Sequence, residues 1–507
     1  MGAIEQQNNL VGIVGAGAMG RGIAQVVSLS GCTVKLFDVN KKASEDAIAF
    51  IAQMFSRLEE KGRINANEHQ EGIRRLRVVN KIEALDNCDV IIESVTENYL
   101  VKKDIFNRLD SIVSKDTILT SNTSSISITK IATNSSYPGR VAGFHFFNPV
   151  PLMELVEVVS GLRTETWVIE KLIKLAQVIG KVPIHVRDSP GFVANQIGRG
   201  YVVEAANLYN EGVASFSTID KVMREAADFK MGPFQLMDLT GLNVSHPATQ
   251  QIYDQSFHEP RFRPSSLMRD RAEAGLMGKK LSNGFYAEPT GEEKKYFNSQ
   301  DLKYDNRPVW VNPSSNADYQ GIRKIFELLG ATFDNGDRPS DNSLIIVAPL
   351  GSDATTFSHE EKLDLRRTIA IDTLFSLKKR RTVMGTITTD VKYLKSCVGL
   401  LSRDNVPVSV IQDSAGFIVQ RILSMIINIA CSIAESGSAS PKDIDEVARL
   451  GLGYPFGPLK FGDQIGAGRI LQILEAIFKL TGDPRYRPTM WLRRRALSGL
   501  SLLYQSN

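Results

Sequence analysis

The stretch Leu10–Asp38, LVGIVGAGAMGRGIAQVVSLSGCTVKLFD, decides how this chain is read. Leu10–Val14 is a short apolar run ended by glycine, the pattern of a buried parallel strand. Gly15, Gly17 and Gly20 follow in G-x-G-x-x-G spacing. The first glycine permits a tight turn, the second lets a pyrophosphate lie against bare backbone, and the third lets the next helix pack close to the strand. A helix over about Met19–Ser30 then aims its free N–H groups and positive dipole end at that phosphate. Gly31 closes it, Thr33–Phe37 is a second strand, and Asp38 stands at that strand's end, 38 − 15 = 23 residues after Gly15. An acid at that spacing binds the adenosine ribose and repels a 2′-phosphate, which favours NAD over NADP, with a flavin as the lesser alternative.

At 507 residues the chain calls for two to four domains. A composition 43% hydrophobic and 23% charged is that of a globular protein, and a net charge of +4 is too mild to imply nucleic acid. Cys32, Cys88, Cys397 and Cys431 are far apart and form no C-x-x-C pair, so neither a disulfide framework nor a metal site is expected. The opening MGAIEQQNNL lacks the order of a signal peptide, and Gln6 stands where a myristoylation signal needs Ser or Thr. The apolar run Phe417–Ala434 contains Gln420 and Arg421 and makes a poor membrane span. The expectation is a soluble cytoplasmic protein with no membrane or nucleic-acid partner.

Beyond Asp38, residues 43–75 read as two charged amphipathic helices turning near Lys61-Gly62-Arg63. Asp89–Glu93, Thr117–Ser121 and Arg140–Phe144 read as further strands, with a helix over Tyr99–Val113 between the first two. Strands alternating with helices indicate a doubly wound parallel sheet, whose ligands lie beyond the strands' carboxyl ends. Those ends carry Glu97, the run Asn122-Thr123-Ser124-Ser125, and His145 through Pro149. His145 there suits a general base for oxidising a hydroxyl, best supported by a carboxylate. Glu154 and Glu157 are the nearby acids; strand alternation separates them but does not choose between them. Ser189 and Pro190 suit the start of a helix running to about Asn210, with Asn195 one turn in.

Asp188-Ser-Pro-Gly-Phe-Val-Ala-Asn195 reappears as Asp413-Ser-Ala-Gly-Phe-Ile-Val-Gln420, an offset of 413 − 188 = 225. The register holds without a gap through Gly241/Gly466, which marks a duplicated helical domain. Gln420, one methylene longer than Asn195, is not expected to present the same group in the same place. Between the copies, Leu344–Ala348 and Arg380–Met384 look like strands around a helix near Glu361–Ser376. RRTVMGT there parallels GRVAGFH, setting Thr386 against His145, and no glycine motif precedes the block. Glu288–Asn306 reads as a linker.

GIVGAGAMGRG, SNTSSI, GFHFFNPVPLMELVEVV and DSPGFVANQI together resemble the NAD-dependent 3-hydroxyacyl-CoA dehydrogenase family over roughly residues 8–288, and residues 413–500 resemble its C-terminal domain again. An active half followed by a degenerate half is similar to bacterial 3-hydroxybutyryl-CoA and 3-hydroxyadipyl-CoA dehydrogenases, the latter of phenylacetate breakdown. The resemblance implies an α/β fold: a Rossmann-type doubly wound parallel sheet, then an all-helical domain, then a degenerate repeat of both. The expected divisions are residues 8–187 for NAD, 188–288 for substrate and dimer contacts, 300–412 as a reduced Rossmann-like domain, and 413–507 as the second helical copy. Position by position it implies a catalytic His145 with Glu157 as its acid, and Ser124 and Asn195 holding the substrate oxygen. It implies cofactor contacts at Gly15, Gly17, Ala18, Met19, Gly20, Asp38, Glu97, Lys102, Ser124, Asn148 and Lys280, and coenzyme A at Lys61. An acyl-CoA substrate and a homo-oligomer, a dimer or higher, follow in the same way; a non-catalytic binding protein on the same fold is the rival.

Overall fold

The computed structural model describes residues 9–279, 283–287, 302–313 and 316–505. They gather into two compact units: residues up to Asn195 with Ser436–Leu452, and Gln196–Glu435 with the residues from Gly453 onward.

In the first unit, β1 (Leu10–Val14), α1 (Ala18–Leu29) and β2 (Thr33–Phe37) form the strand–helix–strand unit expected from the opening stretch. The hairpin α2 (Lys41–Glu60) and α3 (Ala66–Arg74) follows, turning at Gly62 with φ +63°. Asn65 and Glu68 cap α3 reciprocally, and Phe55 is buried against Gly72, where a Cβ would lie 2.8 Å from the ring. Next come β3 (Leu76–Val79), β4 (Val90–Glu93), α4 (Tyr99–Ile112), β5 (Ile118–Ser121), α5 (Ile128–Ala132), β6 (Val141–Phe146), β7 (Leu155–Ser160), α6 (Thr166–Val178) and β8 (Val182–Arg187).

The eight strands make one sheet in the order β3-β2-β1-β4-β5-β6-β7-β8, every pair parallel except β6 and β7. Strands β1, β4, β5, β6 and β7 are buried along almost their whole length because helices cover both faces of the sheet. The strand order reverses at β1 and β4, the switch point beyond whose carboxyl ends sheets of this kind bind their ligands.

Helix α7 (Ala194–Asn210) begins four residues later than Ser189 and Pro190 suggest. Gly191 and Phe192 adopt φ +73° and +51°, which no helix accommodates, so Ser189 is not its cap and Asn195 is its second residue. Asp188 instead accepts from Ser127 Oγ and Thr129 N at 2.8 Å each, at the start of α5.

The duplication appears helix by helix. Pro233–Thr240 and Pro458–Ile465 are displaced by 225 residues at both ends (458 − 233 and 465 − 240), and α7 is matched by Ile418–Glu435. That helix is long and apolar enough to cross a membrane, but it is 89% buried and forms the core of the second unit. Two backbone bonds are also related by the offset: Arg187 N donates to Ser438 O (2.8 Å) in the first unit, and Gln412 N to Val213 O (2.9 Å) in the second.

The second sheet runs β9 (Val309–Val311), β10 (Leu344–Val347), β11 (Thr368–Ile371), β12 (Arg381–Gly385) and β13 (Val408–Ile411), in the order β13-β12-β11-β10-β9 with β11 and β12 antiparallel. This is the plan of β8-β7-β6-β5-β4, so the copy keeps the last five strands of the first sheet and lacks the three around the glycine loop. Two expectations are corrected here. The helix placed near Glu361–Ser376 lies at Ala354–Glu360, capped by Asp353, and the β-branched run Thr368–Ile371 is a buried central strand. Of the linker Glu288–Asn306, residues 288–301 lie outside the described residues, and Tyr304 belongs to the core beneath the second sheet.

Candidate active site

The glycine loop has the geometry its spacing calls for. Gly15 turns with φ +106°, and a Cβ there would lie 2.5 Å from the Ser94 carbonyl oxygen. A Cβ on Gly20 would lie 1.8 Å from the Gly15 carbonyl oxygen, so only glycine allows α1 to pack that closely. A Cβ on Gly17 would meet nothing within 4 Å: this backbone faces open space at the amino end of α1, where a pyrophosphate fits. Ala18 and Met19 form the first turn of α1. Asp38, just past β2, accepts from Ala16 N and Asn40 N at 2.8 Å each, which ties the acid to the loop.

Glu93 ends β4 with no exposed surface. Its carboxylate accepts from Lys102 Nζ at 2.7 and 3.0 Å, from Ser121 Oγ at 2.6 Å and from Val95 N at 2.7 Å. Lys102 is equally buried and lies 3.4 Å from Glu97. Its ammonium is thus held between the carboxylates of Glu93 and Glu97. Glu97 accepts from Thr123 Oγ1 (2.5 Å), Ser125 Oγ (2.7 Å) and Ser124 N (3.2 Å). Burial raises the Glu97 carboxyl, but the Lys102 ammonium and these hydrogen bonds outweigh it and hold the acid below its ordinary range.

His145 and Glu157 stand directly opposite each other on the antiparallel pair β6 and β7. His145 Nδ1 lies 2.7 Å from Glu157 Oε2, and the acid is fully buried. Glu157 Oε1 accepts from Val193 N (3.1 Å) and Ala194 N (3.0 Å), so the carboxylate also caps α7. Glu154, the other candidate, is exposed. Phe147 and Phe192 flank the imidazole with centroids 4.6 and 5.7 Å away. A carboxylate on Nδ1 fixes the tautomer, leaving Nε2 as the basic nitrogen. Asn195 Nδ2 donates to Ser124 O at 3.2 Å, which joins the amide to the serine loop.

Asn148 is exposed just past β6, and Lys61 is exposed at the end of α2. Lys280 lies outside the described residues. Sequence reasoning missed Glu93 and, though it placed Asn122 at a strand end, gave that residue no role. An acid closing the apolar strand VIIE was the available signal for Glu93. Asn122 accepts from Phe146 N at 2.8 Å and steadies the strand that carries His145.

The copy holds a different set of groups. Thr382 pairs with Ser409, which lies 225 residues after Ile184, the partner of Glu157; the residue opposite Thr382 is Asp372, whose N–H donates to the Thr382 carbonyl at 2.9 Å. Asp372 and Thr382 thus occupy the places of His145 and Glu157. Thr386 does not match His145, because β12 corresponds to β7 rather than to β6. Gln420, at the place of Asn195, donates to Asp372 Oδ1 (3.0 Å) and Pro349 O (3.2 Å) and accepts from Gly351 N (2.8 Å). Burial pushes the Asp372 carboxyl up to about 6.

Residues 10–189 match the family model for the 3-hydroxyacyl-CoA dehydrogenase NAD-binding domain, and residues 191–288 and 416–501 each match the model for that family's C-terminal domain. The chain is 34% identical to 3-hydroxyadipyl-CoA dehydrogenase of Escherichia coli strain K12 over 96% of its length and 97% of the relative's. A probable 3-hydroxybutyryl-CoA dehydrogenase of Bacillus subtilis is 38% identical over 54% of this chain and 95% of its own. The crystal structure of 3-hydroxybutyryl-CoA dehydrogenase from Escherichia coli K12 superposes with a TM-score of 0.84 at 33% identity, covering 97% of this chain and 99% of that one. With its open glycine cradle, its buried imidazole–carboxylate pair and a second C-terminal domain, the chain belongs to the 3-hydroxyacyl-CoA dehydrogenases, a family of NAD-dependent oxidoreductases acting on acyl-CoA substrates.

Proposed function

We propose that this protein oxidises (3S)-3-hydroxyacyl-CoA to 3-oxoacyl-CoA and that its substrate is the 3-hydroxyadipyl-CoA of phenylacetate breakdown. The observation carrying the chemistry is the His145–Glu157 pair. His145 Nε2 takes the proton of the 3-hydroxyl. Glu157 holds the opposite nitrogen as the donor and stabilises the imidazolium that forms. Ser124 and Asn195 hydrogen-bond the substrate oxygen, placing its proton against the base. Gly15, Gly17, Ala18, Met19, Gly20, Asp38, Glu97, Ser124, Asn148 and Lys280 hold NAD, and Lys102 orders Glu97 from beneath. When bound, NAD supplies the hydride acceptor. Lys61 meets coenzyme A.

Likeness to the full-length 3-hydroxyadipyl-CoA dehydrogenase supports the diacid substrate. The superposition on a 3-hydroxybutyryl-CoA dehydrogenase favours the short monoacid as the second reading. On the proposed organisation, residues 8–187 bind NAD, 188–288 serve the substrate, and 300–412 with 413–507 are scaffold; the protein works in the cytoplasm as a homo-oligomer. Steady-state NADH oxidation with acetoacetyl-CoA tests the mechanism. His145→Gln is expected to lower turnover by roughly 10²–10⁴-fold, and near-normal turnover would remove this histidine from the reaction.

A further inference from the structure

Glu93 is a buried acid that the reaction proposed above does not use. It ends β4 with no accessible surface, and Lys102 of α4, almost as deeply buried, lies against it. The same ammonium faces Glu97 Oε2 at 3.4 Å, so one cation is shared by two carboxylates. Of these two acids Glu93 is sealed and Glu97 is exposed.

The buried pair reaches the turn Thr123–Ser125 by two routes. Lys102 faces Glu97 at Oε2, which leaves Oε1 to accept from Thr123 Oγ1, Ser124 N and Ser125 Oγ. Ser121 Oγ donates to Glu93 and accepts from Thr123 N at 3.2 Å. Ser124 stands in the middle of that turn, and its carbonyl accepts from Asn195.

Stability does not account for the pair. Two charges lose their hydration on burial, and apolar residues of similar volume often serve a core as well or better. The repeat has made that replacement. Val347 pairs with Ala370, two residues before Asp372, as Ser121 pairs with Gly143, two before His145. Val311 pairs with Ile346, so the residue opposite Val347 is Asn312, at the place of Glu93 opposite Ser121. Ile322, Phe326 and Leu329, along and just past the helix Asn316–Leu328, are buried at the spacing at which α4 buries Lys102, Phe106 and Leu109. Asparagine, isoleucine and valine thus take the places of Glu93, Lys102 and Ser121, and the strands and helix form all the same. The half without the imidazole is also without the ion pair.

We infer that Glu93 is a positioning residue of the cofactor site: through Lys102 it fixes Glu97 as the acceptor that shapes the Thr123–Ser125 turn, and so sets where Ser124 is presented. The inference rests on the reading of Glu97 and Ser124 as NAD contacts given above. Glu93→Gln keeps the shape and removes the charge. Lys102 is then drawn toward the one carboxylate left and competes with the turn for it.

The test is calorimetric titration of the full-length protein with NAD, which needs no turnover. Glu93→Gln is expected to weaken NAD binding roughly 3–10-fold. In a Glu97→Gln background the same change is expected to weaken it less than about twofold, because the route through Glu97 is already cut. A full loss in both backgrounds marks a merely structural effect and overturns the inference, as does an unchanged affinity in Glu93→Gln. If that variant does not fold, Glu93→Met with Lys102→Met removes the pair and orphans neither charge. The same loss, again abolished by Glu97→Gln, is expected of it, and an unchanged affinity overturns the assignment. An unchanged affinity in Glu97→Gln alone overturns the cofactor reading of that acid and the inference with it. The expected pattern of NAD binding in a protein that oxidises no 3-hydroxyacyl-CoA supports the inference and overturns only the proposed reaction.

Discussion

Glu157 holds the proposed base in one tautomer and also satisfies the first N–H groups of α7. The two tasks come apart in Glu157→Gln. The amide oxygen can stay on the Val193 and Ala194 N–H groups while its NH2 faces His145. That reverses the hydrogen bond, puts the proton on Nε2 and removes the basic lone pair. Turnover is expected to fall roughly 10²–10⁴-fold with little change in melting temperature. Glu157→Ala is expected to lose activity and also about 1–3 kcal/mol of stability, because the helix N–H groups are then orphaned. Parallel steady-state and thermal-melting measurements distinguish the two variants. The acid itself was only half legible in the sequence. Strand β7 is buried on both faces, so alternation could not favour Glu157 over Glu154; the cross-strand register does.

At the scale of the element, the glycine loop separates fold from ligand. Gly17→Ala meets no atom and has an ordinary φ of −66°, so the variant is expected to melt like the wild type. Its NAD affinity should drop roughly tenfold or more, since the methyl group occupies the face kept bare for phosphate. Gly20→Ala drives a methyl group into the Gly15 carbonyl and should destabilise the domain itself. Calorimetric titration with NAD, set beside melting curves, checks both. Elements built from continuous apolar runs, such as LVGIV and DVIIE, were legible because helices cover both of their faces. Short elements in polar surroundings were not. Thr368–Ile371 has four residues and reads as a strand only with β10 and β12 on either side of it. The start of α7 was misplaced because a glycine and a phenylalanine with positive φ delay it, and a phenylalanine gives no sign of that conformation. The pairing of Asp372 with His145 needed strand order, which no local motif carries.

On the scale of the molecule, the helical copies are joined by a buried charge cluster. Arg421 donates to Glu204 (2.8 Å), to Glu211 Oε1 (2.9 Å) and to the Tyr486 hydroxyl (2.8 Å), and Tyr486 donates to Glu204 (2.7 Å). Arg421→Ala would take from Glu204, which is 1% exposed, its hydrogen-bonded countercharge and leave only Arg485, 3.7 Å away. The expected loss is about 3–5 kcal/mol, read by chemical denaturation. The duplication itself was legible because its offset of 225 holds without a gap. Which residues of one copy meet the other was not, because that depends on surfaces brought together only in the fold.

The offset-related bonds Arg187–Ser438 and Gln412–Val213 show each half reaching into its sibling's territory. Such a reciprocal handshake does not depend on the covalent continuity of the halves. If the chain were cut between residues 287 and 302, the amino-terminal piece should still co-purify with the carboxyl-terminal one on a sizing column. Made without its sibling, the same piece lacks the partners of Arg187 N and Val213 O, which a second copy of itself would supply, and it is expected to run as a pair.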